Sequence, residues 1–198
     1  MSTIVKAAAV QISPVLYSRQ GTVEKVVKKI RELGKRGVQF ATFPETVIPY
    51  YPYFSFVQTP YDMLLGKEHQ RLLEESVTVP SAETHAISEA AKEAHMVVSI
   101  GVNERDGRSI YNTQLLFDAD GTLIQRRRKV TPTYQERMIW GQGDGSGLRA
   151  AQSAVGRSPA GSTSNRSRVM RSLPMARRST RRCIPDRLPV SGSRKRWK

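Results

Sequence analysis

A layered α/β fold is predicted for this chain by three observations. Within the first 43 residues an apolar run, an amphipathic stretch and a second apolar run follow one another, which is the order of a strand–helix–strand unit. An Ala- and Glu-rich helical stretch then leads into a third apolar run. Finally, two alternating stretches flank Asp118-Ala119-Asp120-Gly121, the pattern of a hairpin. Helices interleaved with strands in this way stack as layers around a sheet.

Each element has its own reason. Val5 to Ile12 is mostly apolar and bounded by Pro14, which suits a buried strand. From Thr22 to Arg36, residues Val23, Val26, Val27, Ile30 and Leu33 fall on one helical face with lysines between them. Gly34 and Gly37 mark the end of that helix. Val38 to Phe43 is a second strand, stopped by Pro44-Glu45. The segment PYYPYFSFVQTPY carries prolines at 49, 52 and 60, so an irregular wall or lid is expected from Pro49 to Tyr61. Ser81 to Ala94, opened by Pro80-Ser81, is a helix. Met96 to Val102 is a strand, and Ile110 to Phe117 pairs with Thr122 to Arg128. The glycines from Trp140 to Gly147 read as a flexible turn. They lack the spacing and the terminal Lys-Ser/Thr of a phosphate loop.

Charge divides the chain. Its net charge is +15, but 11 Arg and 2 Lys against the single acid Asp186 place +12 of this between Ala151 and Lys198. Residues 1–150 carry only +3, an ordinary mixed surface. The basic excess would attract polyanions, yet the tail offers Trp197 and no Phe or Tyr for stacking. Specific nucleic-acid recognition is therefore not expected. Past Leu148 no apolar periodicity persists, and residues 158–198 are expected to form a disordered Arg/Ser-rich tail following a folded part at 1–157. A single cysteine, Cys183, excludes an internal disulfide. The N-terminus lacks the pattern of a signal peptide and no run approaches a membrane span, so a soluble cytoplasmic protein is expected. His69, His85 and His95 have no metal-ligand spacing.

Two positions suit chemistry. Glu45 follows an apolar strand and adjoins the aromatic segment, where partial desolvation favours a general base; by position alone, a solvated loop glutamate is the favoured reading. Lys129 ends the run Arg126-Arg127-Arg128-Lys129. Alternate strand residues point inward, so some of these charges should meet a buried acid or an anion; the other reading is an edge strand charged against aggregation. Glu136 lies within reach of Lys129 or Arg137.

The strings FPETVIPYYPYFSF and YNTQLLFDADGTLIQRRRKVTPTYQERMIWGQGDGSGL strongly resemble the nitrilase branch of the carbon–nitrogen hydrolase superfamily, over residues 4 to about 157. The resemblance implies an αββα sandwich and a Glu–Lys–Cys catalytic set with no cofactor or metal. It implies that Glu45 is the general base, that Lys129 stabilises charge developing on the substrate, and that Glu136 holds the lysine. Tyr51, Tyr53 and Phe54 are candidates for a substrate wall. A nitrile is the implied substrate, and homo-oligomers are usual in the family. An amidase or carbamoylase of the same superfamily, a pseudoenzyme partner of intact subunits and a non-catalytic polyanion-binding protein are the alternatives. The family's cysteine is expected some 30 residues past the lysine, in a segment reading like CWEH. This chain instead runs into SPAGSTSNRSRVMRS, and the setting of Cys183 has no family likeness. Codons exist for Ser158–Asp186 that, displaced by one nucleotide, encode a CWEH-like segment. A shifted reading frame near Arg157, an incomplete sandwich and an inactive product are therefore expected.

Overall fold

The computed structural model describes residues 4–157. The expectations for the basic tail, the reading frame and Cys183 lie outside those residues. The central sheet has the order β1 (Ala7–Ala9), β2 (Phe40–Thr42), β3 (Val97–Asp106), β4 (Ser109–Phe117), β5 (Leu123–Arg128). The first three strands pair in parallel and the last three antiparallel. Helix α1 (Arg19–Lys35) crosses over between β1 and β2, as the strand–helix–strand reading expects.

Helix α1 starts where the Ser18 side chain accepts from the Gly21 N–H, satisfying one of the free donors at a helix start. Its buried stripe is Thr22, Val23, Val26, Ile30 and Leu33. After it the chain turns at Gly37, with φ 69°, a left-handed conformation that glycine adopts without penalty. Helix α2 (Phe54–Val57), helix α3 (Pro60–Leu65) and helix α4 (Glu68–Glu75) come next. Helix α5 (Ala82–Glu93) is opened by a reciprocal cap between Ser81 and Thr84 and buries Thr84, Ile87, Ala90 and Ala91. Helices α1 and α5 lie side by side on one face of the sheet. A Cβ on Gly34 would stand 2.7 Å from that of Ala94, so the end of α1 and the turn after α5 touch. Val26 and Ile30 of α1, Ile87 of α5 and Val98, Ile100, Leu115 and Phe117 of the sheet make the main core. Each such buried side chain contributes about 1.5–3 kcal/mol.

The aromatic segment departs from expectation. It is not wholly irregular, because Pro60 sits in the first turn of α3, where Thr59 and Asp62 cap each other reciprocally. A missing N–H costs nothing at that position. The glycine-rich stretch also differs from a flexible turn. Gly143 N–H donates to the Lys129 carbonyl at 3.0 Å. A Cβ on Gly143 would fall 2.8 Å from the Arg128 carbonyl, and one on Gly147 2.8 Å from the Arg127 Cα. These glycines let the chain lie flat against β5. Beyond them the short strands β6 (Gln152–Ser153) and β7 (Gly156–Arg157) pair with each other.

Candidate active site

The site is made by a strand that leaves its ladder and returns. Strand β2 pairs with β3 through Thr42 opposite Ser99, and the Phe43 N–H still donates to the Ser99 carbonyl. Pairing resumes with Ile48 opposite Val102, so six residues on one side span three on the other. The surplus is Pro44-Glu45-Thr46, with Thr46 at φ 43°. Gly101 lies opposite this detour. A Cβ there would stand 2.3 Å from Thr46 N, 2.7 Å from the Pro44 carbonyl oxygen and 2.8 Å from the Glu45 Cα. The absent side chain is thus what seats Glu45 against the sheet.

Alternation along β5 sorts the basic run. Arg126 and Arg128 point to one face, where both converge on Glu104, a side chain with no exposure that also accepts from the Thr113 hydroxyl at 2.7 Å. Burial would push the Glu104 carboxyl up; its bonds from Arg126, Arg128 and Thr113 outweigh this and hold it below the ordinary carboxylate range. The expected buried acid is therefore Glu104. Arg127 turns to the opposite face and donates to Gln114. Lys129 shares that face.

Lys129 Nζ meets Glu136 Oε1 at 2.9 Å, Glu136 Oε2 at 2.8 Å and Glu45 Oε1 at 3.2 Å. Lys129 and Glu136 side chains are 8% and 7% exposed. Glu136 lies in a short 3-10 helix, Tyr134–Met138. Its carboxylate also accepts from the Thr133 N–H at 2.6 Å, the Thr133 hydroxyl at 2.8 Å and the Tyr51 hydroxyl at 2.9 Å. Burial pushes the Glu136 carboxyl up, and the Lys129, Thr133 and Tyr51 bonds together bring it below its usual range. It is a committed anion, and it fixes the ammonium by two bonds. Glu45, expected to be partly desolvated, has a side chain 43% exposed, with Asn112 and Lys129 as its partners.

The aromatic candidates separate. Tyr51 is half-buried, meets Trp140 edge-on at 5.5 Å and is tied to Glu136; burial first, and that bond second, push its phenol well up. Phe54 is partly buried against the cluster that contains Tyr50, Leu72 and Trp140. Tyr53 is 72% exposed and leans on Tyr51 at 4.8 Å between ring centres, so it lines the outer rim.

Two asparagines escaped the sequence reading. Asn112 donates from Nδ2 to Glu45 Oε1 at 2.6 Å. Asn103, directly across the β3–β4 ladder, donates to the Tyr50 carbonyl at 2.8 Å and accepts from the Trp140 indole at 2.7 Å. Neither side chain is charged, and only the strand register brings them to the site. Among the described residues no three His, Cys, Asp or Glu side chains are grouped to hold a metal, and no helix is long and apolar enough to cross a membrane.

Known proteins share this arrangement of chain. The carbon–nitrogen hydrolase family model matches residues 6–163. A protein named Nitrilase 3, from an unknown prokaryotic organism, is 78% identical over 154 residues, covering 78% of this chain and 47% of that one. A nitrilase of Paraburkholderia phymatum is 53% identical over 154 residues, covering 78% of this chain and 45% of its own. The fold is shared with Saccharomyces cerevisiae Nit3, a member of branch 10 of the nitrilase superfamily, at a TM-score of 0.59 and 19% identity over 77% of this chain and 53% of that structure. The chain thus spans about half the length of the curated relatives it matches. With this match and these relatives, the chain belongs to the nitrilase branch of the carbon–nitrogen hydrolase family.

Proposed function

We propose that residues 4–157 are the base-and-lysine half of an enzyme that converts a nitrile to a carboxylic acid and ammonia. The observation that carries this is the buried Lys129 ammonium held by Glu136 and set 3.2 Å from Glu45. A thiol attacking a nitrile carbon must lose its proton, and Glu45 is the base for it. Attack builds negative charge on the nitrile nitrogen, and a fixed cation stabilises that charge. Lys129 supplies it, and Glu136 orients Lys129. Water then hydrolyses the thioimidate and the acyl-enzyme. Tyr51 acts here through Glu136, while Phe54 and Tyr53 shape the entrance. Relatives named as nitrilases at 78% and 53% identity favour a nitrile over an amide.

The nucleophile is the missing part. In this reading Ser158 and the residues after it come from a displaced frame, Cys183 does not serve Glu45, and the chain as written does not turn over. Assembly with further copies and a cytoplasmic location belong to the same proposal.

The coding DNA across codons 150–165 tests the frame: a displaced frame lacking a CWEH-like segment overturns it. A chain carrying the displaced-frame continuation should release ammonia and acid from a nitrile. Lys129→Met or Glu45→Gln should each lower that rate by at least about a hundredfold. Ammonia released from the amide but not from the nitrile would make it an amidase. Turnover by the chain as written that survives Cys183→Ala would refute the missing-nucleophile reading.

A further inference from the structure

Glu45 has two carboxylate oxygens, and the structure treats them unequally. Both hydrogen bonds to this carboxylate among the described residues fall on Oε1: Asn112 Nδ2 at 2.6 Å and Lys129 Nζ at 3.2 Å. The Glu45 side chain is 43% exposed, so it has an open side. We propose that Asn112 is a positioning residue for Glu45, clamping Oε1 so that Oε2 is the oxygen that takes the nucleophile's proton. This rests on the reading of Glu45 as a general base.

The clamp follows from where Asn112 sits. It is buried in the middle of β4, a strand paired on both sides. Its own carbonyl accepts the Lys129 N–H at 2.8 Å. One residue thus holds the backbone of Lys129 and the side chain of Glu45. Its cross-strand neighbour Asn103 is pinned at both ends by Tyr50 and Trp140, so the rung cannot drift. Lys129 alone is a poor substitute. An ammonium can rotate and attracts either oxygen, and this one already gives two bonds to Glu136. A neutral amide donor has fixed direction. It also adds no charge, so it orients Glu45 without a second cation competing with Lys129 for the developing anion. An oxygen that accepts two bonds has less lone-pair density to offer, which leaves the proton-accepting role to Oε2.

The test uses the full 198-residue chain and needs no turnover. With 15N-labelled asparagine, the Asn112 side-chain amide should follow the ionisation of Glu45 as pH is varied, and that dependence should vanish in Glu45→Gln. In Asn112→Leu, which keeps the branched outline and removes the donor, the Glu45 side-chain couplings should change from those of one rotamer to an average over several. The Trp140 indole resonance, bonded to Asn103, reports whether the sheet has stayed intact. An Asn112 amide indifferent to Glu45→Gln overturns the proposal, and so does a single Glu45 rotamer in an intact Asn112→Leu. If Asn112→Leu fails to fold, the Glu45→Gln titration alone decides. Should the completed chain fail to hydrolyse nitriles, the catalytic reading falls while the Asn112–Glu45 resonance signature stands.

Discussion

Replacing Gly101 with alanine adds one methyl group, and the structure says where it would go. It would lie 2.3 Å from Thr46 N, 2.7 Å from the Pro44 carbonyl oxygen and 2.8 Å from the Glu45 Cα. All three neighbours are backbone atoms, so no side chain can swing aside. The detour itself is fixed at both ends, by Phe43 on Ser99 and by Asn103 on Ile48 at 2.7 Å. Gly101 lies outside the left-handed region, so alanine carries no conformational penalty there, and in a strand it would lower the entropy lost on folding. The whole cost is therefore steric. Insertions of this kind into close-packed regions cost about 1–3 kcal/mol, and the upper end applies because only backbone can yield. Gly37→Ala is the contrast: φ is 69° and nothing lies within 4 Å, so its cost is only the left-handed penalty of about 1–2 kcal/mol, and Gly37→Asn should remove much of that. Urea unfolding followed by Trp140 fluorescence measures all three. Gly101→Ala should also weaken the Glu45–Lys129 contact, read as loss of the dependence of the Asn112 amide on Glu45. Parental stability in Gly101→Ala, with that dependence retained, would refute the account of how Glu45 is seated.

Three further outcomes follow from the same geometry. Glu104 is held below its ordinary range, so the stability it contributes is full above the unfolded-state value of about 4.3 and is lost as pH falls through its lower folded value. Glu104→Gln should flatten that acid limb and cost about 2–3 kcal/mol at neutral pH, less than the usual penalty for unpairing a buried ion because Arg126 is partly exposed; acid titration of stability by circular dichroism checks both. Tyr51→Phe removes one of the donors to Glu136 and should cost about 1 kcal/mol, with the Glu136 carboxyl moving up, as 13C resonance of the labelled carboxyl would show. Of the seven tyrosines, Tyr50, pushed up to about 12 chiefly by burial, and Tyr51 should remain un-ionised near pH 11, where free phenols are mostly deprotonated; absorbance at alkaline pH counts them.

How much of this the sequence carried depends on the kind of interaction. Periodic apolar positions made α1, α5 and the three long strands legible, because burial of one face leaves a regular trace. The charged run at 126–129 pointed to a buried acid or an anion, since alternate residues of a strand face opposite sides, although a charged edge strand was also readable from the run. The helices at 54–75 were harder to see. The prolines at 49, 52 and 60 masked the first two, although Thr59-Pro60-Tyr61-Asp62 holds the reciprocal cap that starts α3, and Leu72 with Leu73 gives α4 an apolar side. Glu45, Lys129 and Glu136 were singled out by family likeness, and their proximity depends on strand register. Asn103 and Asn112 left no trace. An amide carries no charge and no periodicity, and its value here comes from standing across a ladder from the right neighbour. The glycines at 101, 143 and 147 look alike in sequence to any turn glycine, whereas each is required by what lies against it.

The break in pairing between Phe43 and Ile48 has a consequence for redesign. Because hydrogen bonding to β3 is restored at Ile48 before the aromatic helices begin, the register of Glu45 is locked upstream of them. Lengthening or shortening the chain between Tyr53 and Lys67 would reshape the aromatic segment and leave the carboxylate where it is. One residue gained or lost between Thr42 and Ile48 would do the reverse, keeping the aromatic helices and displacing Glu45.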